Sequence, residues 1–79
     1  MMTQEEAGSV ILNIFKRECD KAGDVLPNKT VHKEFFRKTE SGLGFFEGVK
    51  WLVDQKWLAV NETQENSHSI TKAGMRADV

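Results

Sequence analysis

Leu52-Val53-Asp54-Gln55-Lys56-Trp57-Leu58-Ala59-Val60 is where the chain changes period, and its reading decides the fold. Up to Gln55 the apolar residues recur at three- and four-residue steps, the spacing of one helix face. Trp57 to Val60 has the composition of a strand. Asn61 to Ser67 is wholly polar and turn-forming, and His68-Ser69-Ile70 returns as a second strand. Together they predict a hairpin with a loop of about six residues. Thr71 then caps a short helical turn over Lys72-Ala73-Gly74-Met75-Arg76.

Working back from Leu52, the residues Phe45, Phe46, Val49, Leu52 and Val53 form one apolar stripe on a helix from about Leu43 to Gln55. Thr39-Glu40-Ser41-Gly42 is a turn, with Ser41 the cap of that helix. A second helix runs from an Asn28 N-cap to about Lys38, with Val31, Phe35 and Phe36 facing inward. Val25-Leu26-Pro27 ends in the only proline, and the residue before a proline favours extended backbone. The piece is therefore a short strand or an extended connector. Thr3 followed by Glu6 reads as a capping box. Behind it Ala7, Val10, Ile11, Ile14, Phe15 and Ala22 keep helical spacing as far as Gly23, a left-handed stop. The first helix thus spans about Gln4 to Ala22.

With 79 residues the chain is one domain, 1–79, too small for a cleft roofed by two. Eleven basic against 12 acidic residues leave a net charge of −1, which excludes a polybasic protein that coats nucleic acid by charge alone. Cys19 is the one cysteine, so no internal disulfide can form, and a reducing cytoplasm is the simplest home. No apolar run approaches the roughly 20 residues of a membrane span or the core of a signal peptide.

The element order resembles the winged helix-turn-helix, an α+β fold with a three-helix core and a two- or three-stranded C-terminal wing. Leu52 to Leu58 resembles the end of a recognition helix leading into the first wing strand. Ile70-Thr71-Lys72-Ala73-Gly74-Met75-Arg76 resembles the leucine-threonine-x-x-glycine-x-arginine exit from the wing in bacterial regulators of the MarR and PadR type. Two features depart from that pattern. Lys56 stands where the family usually places glycine, so it must adopt left-handed backbone or the helix must end differently. The dimerisation helices that flank the domain in those regulators are not in this sequence. The resemblance implies a small transcriptional regulator that docks its third helix in the major groove of double-stranded DNA.

The charges fit that role unevenly. Opposite the apolar stripe of the third helix sit Gly44, Glu47, Gly48, Trp51, Asp54 and Gln55, with Lys50 on the shoulder. Glu47 and Asp54 would meet a polyanion, and no arginine is present to grip guanine. Gln55 could read adenine from the far end. Lys29, Lys33, Arg37 and Lys38 outnumber Glu34 and Glu40 on the second helix, and they would hold phosphates, with Lys72 or Arg76 near the wing. The plain alternative is a solvated helix surface.

A second function fits the same fold, a non-enzymatic protein-interaction module or homodimer of an accessory or phage-type protein. Its face would be Glu47, Trp51 and Asp54, because the wheel exposes Trp51 and a covered tryptophan gains most from burial. The wing or the terminal segment folding over Trp51 is the bland counterpart. Trp57 and the five phenylalanines belong to the core. Glu18, inside the apolar face of the first helix, snorkels from its end or pairs with a base such as Arg37. Catalysis fails on inventory. Cys19, His32 and His68 match no zinc spacing, Cys19 reads as an inert small hydrophobe, and no Gly-rich phosphate loop or Gly-x-Ser-x-Gly is present. The sequence thus points to no metal and no cofactor.

Overall fold

Thr3 Oγ1 accepts from the Glu6 amide at 3.1 Å and Glu6 Oε1 accepts from the Thr3 amide at 3.2 Å, so the capping box closes the first turn of α1 (Gln4–Glu18) as read from the sequence. The coordinates are a computed structural model, and the structure describes residues 3–40, 42, 44–60 and 67–77. After α1 come β1 (Val25–Pro27), α2 (Asn28–Thr39), α3 (Phe45–Asp54), β2 (Leu58–Val60), β3 (Ser67–Ile70) and α4 (Lys72–Arg76). The fold is α+β: the described residues form four helices and a three-stranded antiparallel sheet in the order β1-β3-β2. That layout is compatible with a winged helix.

Val25-Leu26-Pro27 resolves to a strand. It pairs with β3 in the register Val25↔Ser69 and Pro27↔Ser67, and its place at the sheet edge suits a proline that has no N–H to give. The hairpin pairing forms as read, Leu58↔Ile70 through Val60↔His68. Ser67 belongs to β3 and is buried, so the polar stretch ends one residue earlier than its composition suggests. Residues 61–66 and the Ser41 cap fall outside the described residues.

Three helix ends differ from the sequence reading, each for a local reason. Helix α1 stops at Glu18 instead of Ala22, because Cys19 is extended and the next residues form a turn of their own. The Asp24 carboxylate accepts from the amides of Asp20 and Lys21, and Gly23 donates its N–H to the Ile70 carbonyl, tying that turn to β3. Asn28 is the first residue of α2 rather than its cap. Its Oδ1 lies 2.7 Å from Nδ1 of His68, and since an amide oxygen only accepts, His68 carries its proton on Nδ1. Helix α3 begins at Phe45, behind Gly44 at φ 87, two residues later than read.

The far end of α3 explains how lysine replaces the usual glycine. Lys56 does adopt left-handed backbone, φ 65. The Trp57 amide reaches the Leu52 carbonyl and the Lys56 amide the Val53 carbonyl, both at 2.9 Å, which is a Schellman ending. The apolar contact that accompanies such endings is the edge-on pair Trp51–Trp57, ring centroids 5.4 Å apart. Thr71 fastens the wing exit to the same place. Its hydroxyl donates to the Lys56 carbonyl at 2.7 Å and accepts from the Gly74 amide, while its own amide donates to the Trp57 carbonyl.

The core joins Ile11, Leu12, Ile14 and Phe15 of α1 to Val31 and Phe35 of α2, Phe45, Val49 and Leu52 of α3, and Leu58 and Ile70 of the sheet. Each such side chain contributes about 1.5–3 kcal/mol by leaving water. Helix α1 packs chiefly on α3, and small residues set the distance. A Cβ on Gly48 would stand 2.9 Å from both the Ala7 Cβ and the Ile11 Cδ1, so only glycine lets the helices approach this closely.

That approach turns α3 relative to the sequence reading. Gly48 is buried and Trp51 half-buried, where the wheel exposes both; Phe46 is 72% exposed, where the wheel buries it. At 100° per residue the buried face is rotated by about 50° toward α1. Phe36 is likewise exposed, at 54%, instead of inward-facing. Trp57 is partly buried against the core. Glu18 is exposed and pairs with Arg17 at 3.3 Å, while Arg37 pairs with Glu34.

Candidate nucleic-acid interface

Phe35-Phe36 and Phe45-Phe46 are adjacent pairs on helices, and neighbours on a helix point about 100° apart. On α1 both members of Ile11-Leu12 and of Ile14-Phe15 are buried, but on α2 and α3 only one member of each phenylalanine pair faces the core. The first does so in both cases, and the second is left in solvent. Two uncovered phenylalanines therefore sit on α2 and α3. Adjacency alone does not reveal this in the sequence, since adjacent apolar pairs on α1 are buried together.

Around Phe46 the solvent face of α3 carries Glu47, Lys50 and Asp54, with Gln55 exposed at the helix end. On α2 the exposed stripe is Lys29, His32, Lys33, Phe36 and Arg37, with Lys38 beside it. Lys29, Lys33, Lys38 and Lys50 are ion-paired to no described residue. Arg37 is less free, since Glu34 Oε1 lies 3.6 Å from its guanidinium. Glu34 Oε2 accepts from Arg17 at 3.1 Å, and that hydrogen bond holds the Glu34 carboxyl below the ordinary glutamate range.

The two helices meet at their N-terminal ends, where Asn28, Lys29, His32, Phe45 and Phe46 line an open cleft. The ring of His32 is seated edge-on against Phe45, centroids 4.7 Å apart, and Phe46 lies beyond it. Burial pushes the imidazole of His68 below its usual 6.5, in the sheet behind Asn28.

The remaining sequence-derived residues divide. Lys72 and Arg76 are exposed on α4, which is anchored to the carbonyls at the C-terminal end of α3. About 12 Å of helix separates that end, at Asp54, from Phe46. Of the described lysines only Lys29 lines the cleft, with Lys33 one turn further along α2 and Lys50 one turn after Phe46, while Lys72 and Arg76 lie toward the opposite end of α3. Trp51 is set against α1 and Trp57, so of the face Glu47–Trp51–Asp54 only the two carboxylates are fully in solvent.

Cys19 is buried, and its surroundings push the thiol pKa up, burial first and the Asp24 carboxylate second. Among the described residues no group of histidine, cysteine or carboxylate side chains could hold a metal ion, and no helix is long and apolar enough to cross a membrane. Comparison with family models, curated proteins and solved structures finds no match to this chain.

Proposed function

We propose that the chain is a winged-helix protein that binds double-stranded DNA, a small transcriptional regulator whose α3 enters the major groove. The observation that carries the reading is Phe46. Recognition helices contact base edges with their N-terminal residues, and Phe46 is the second residue of α3, mostly uncovered, with Lys50 one turn on. An apolar ring in the major groove meets the thymine methyl group, the one apolar edge there. Lys29, Lys33 and Lys38 supply phosphate contacts from α2, and Arg37 adds to them where a phosphate displaces Glu34.

The topology supports the same reading. The order α1-β1-α2-α3-β2-β3 with β3 central is compatible with a helix-turn-helix followed by a wing. Selection from a randomised duplex pool tests the proposal. The bound fraction should be enriched in thymine at one or two positions, and Phe46→Ala should abolish the enrichment. A bound fraction no different from the starting pool would remove it.

A second reading, a protein-interaction module, is favoured by the exposure of Phe36 and Phe46 and by the carboxylates Glu47 and Asp54 on the same side of α3. It moves the interface from Trp51 to the phenylalanines. Sedimentation at increasing concentration separates the homodimer form of this reading, which requires a mass that rises with concentration and falls back in Phe46→Ala.

A further inference from the structure

The cleft between α2 and α3 has a shape of its own. It holds about 260 Å³ and is open on one side. Sites that engulf a whole small molecule run from roughly 300 to 1,000 Å³, so this one suits a single planar group attached to something larger. Its walls are rings. The faces of His32 and Phe46 lie within 22° of parallel with centroids 6.5 Å apart, and Phe45 stands steeply to both, at 4.7 and 5.4 Å. Phe45 is fixed in the core, whereas Phe46 is largely exposed beside His32.

The polar lining is equally specific. Asn28 accepts from His68 at Oδ1 and keeps its amide NH₂ as a donor. Lys29 places a positive charge at the rim, Lys33 follows one turn along α2, and Lys50 follows one turn after Phe46. Among the described residues no carboxylate lines the cleft, although Glu47 is exposed next to Phe46. Aromatic boxes also take quaternary ammonium groups, but Lys29 repels a cation here. Flat faces, one amide donor and flanking ammonium groups suit a ring that carries a phosphate with it.

We propose that this cleft receives one unpaired nucleobase, so that the preferred ligand is duplex DNA with an extrahelical base. The proposal rests on the DNA reading above. The base stacks on His32 and on Phe46, which on bulged DNA meets the extrahelical base in place of a thymine methyl, and its phosphate lies toward Lys29. Stacking is tolerant of base identity because every base has a π-face. Bulged DNA is favoured over paired DNA because the bulged base has already left its partner.

Two duplexes of identical flanking sequence test it, one fully paired and one with a single bulged 2-aminopurine. The intact protein should bind the bulged duplex about tenfold more tightly, within the range expected for one stacked base, and the 2-aminopurine fluorescence should be quenched on binding. His32→Ala should remove the preference, and His32→Phe should keep it, since a ring at this exposed position preserves stacking without the imidazole. Equal affinity for the two duplexes, or a preference that survives His32→Ala, overturns the base-in-cleft proposal and leaves duplex binding standing. Failure to bind either duplex at low salt overturns both.

Discussion

The indole of Trp51 occupies the space that a side chain at Gly8 would need: a Cβ built on Gly8 would stand 2.5 Å from Trp51 Cε3. The residue that looks exposed on the wheel of α3 is a filler between helices, held by the missing side chain of α1 on one side and by Trp57 on the other. Trp51→Ala should therefore lose about 2–4 kcal/mol, somewhat less than a fully buried tryptophan. Gly8→Ala should also destabilise, by displacing the ring. In the Trp51→Ala background the same change should become neutral or stabilising, because alanine is the better helix former by about 1 kcal/mol. A double-mutant cycle by urea denaturation measures the coupling, and additive effects would mean that the two residues do not compete for space.

Lys56 carries left-handed backbone that a glycine would adopt without strain. Left-handed conformation costs a non-glycine residue about 1–2 kcal/mol, and the added freedom of glycine in the unfolded chain offsets part of that. Lys56→Gly should raise stability by up to about 1 kcal/mol, read as an increase in Tm. A decrease would show that the lysine side chain contributes more than its backbone costs.

His68 ties the central strand to the start of α2 through Asn28, and burial lowers its pKa from 6.5. The unfolded chain therefore takes up this proton first as pH falls. Its contribution is intact above about pH 6.5 and is lost as pH drops below that toward the lower folded-state value. Tm should fall between about pH 7 and pH 5, a window above most carboxylate titrations. His68→Gln should flatten the fall. The same slope in the variant would assign the effect elsewhere.

The elements themselves were legible in the sequence because each has a local cause. Thr3 and Glu6 announce α1, the proline of Val25-Leu26-Pro27 marks an extended piece, strand or connector, and Thr71 caps α4. The faces were harder. Hydrophobicity alone assigns Phe46 to the core and leaves Gly48 outside, but close packing of two helices is governed by size as much as by polarity. Ala7 and Gly8 on α1 opposite Gly48 on α3 draw the helices together, and the rotation that results frees Phe46. The end of α1 was hidden for a different reason. Gly23 has the left-handed backbone its position suggests, but it serves a turn tied to Ile70, a partner 47 positions on. The basic residues of α2 could be named from the chain, while the cleft could not, since it exists only where the N-terminal ends of α2 and α3 meet.

The proposed grip of the α2–α3 face on DNA runs through Lys29, Lys33 and Lys50. The most direct measurement is the affinity for a labelled duplex, by fluorescence anisotropy, across a series of salt concentrations. With that grip log K should fall linearly with log salt, and Lys29→Ala, Lys33→Ala and Lys50→Ala should each flatten the slope by about 0.9, the loss of one phosphate contact. Lys72→Ala and Arg76→Ala, at the other end of α3, should change it less. Slopes untouched by the three lysines, or no duplex binding at low salt, would contradict the claim.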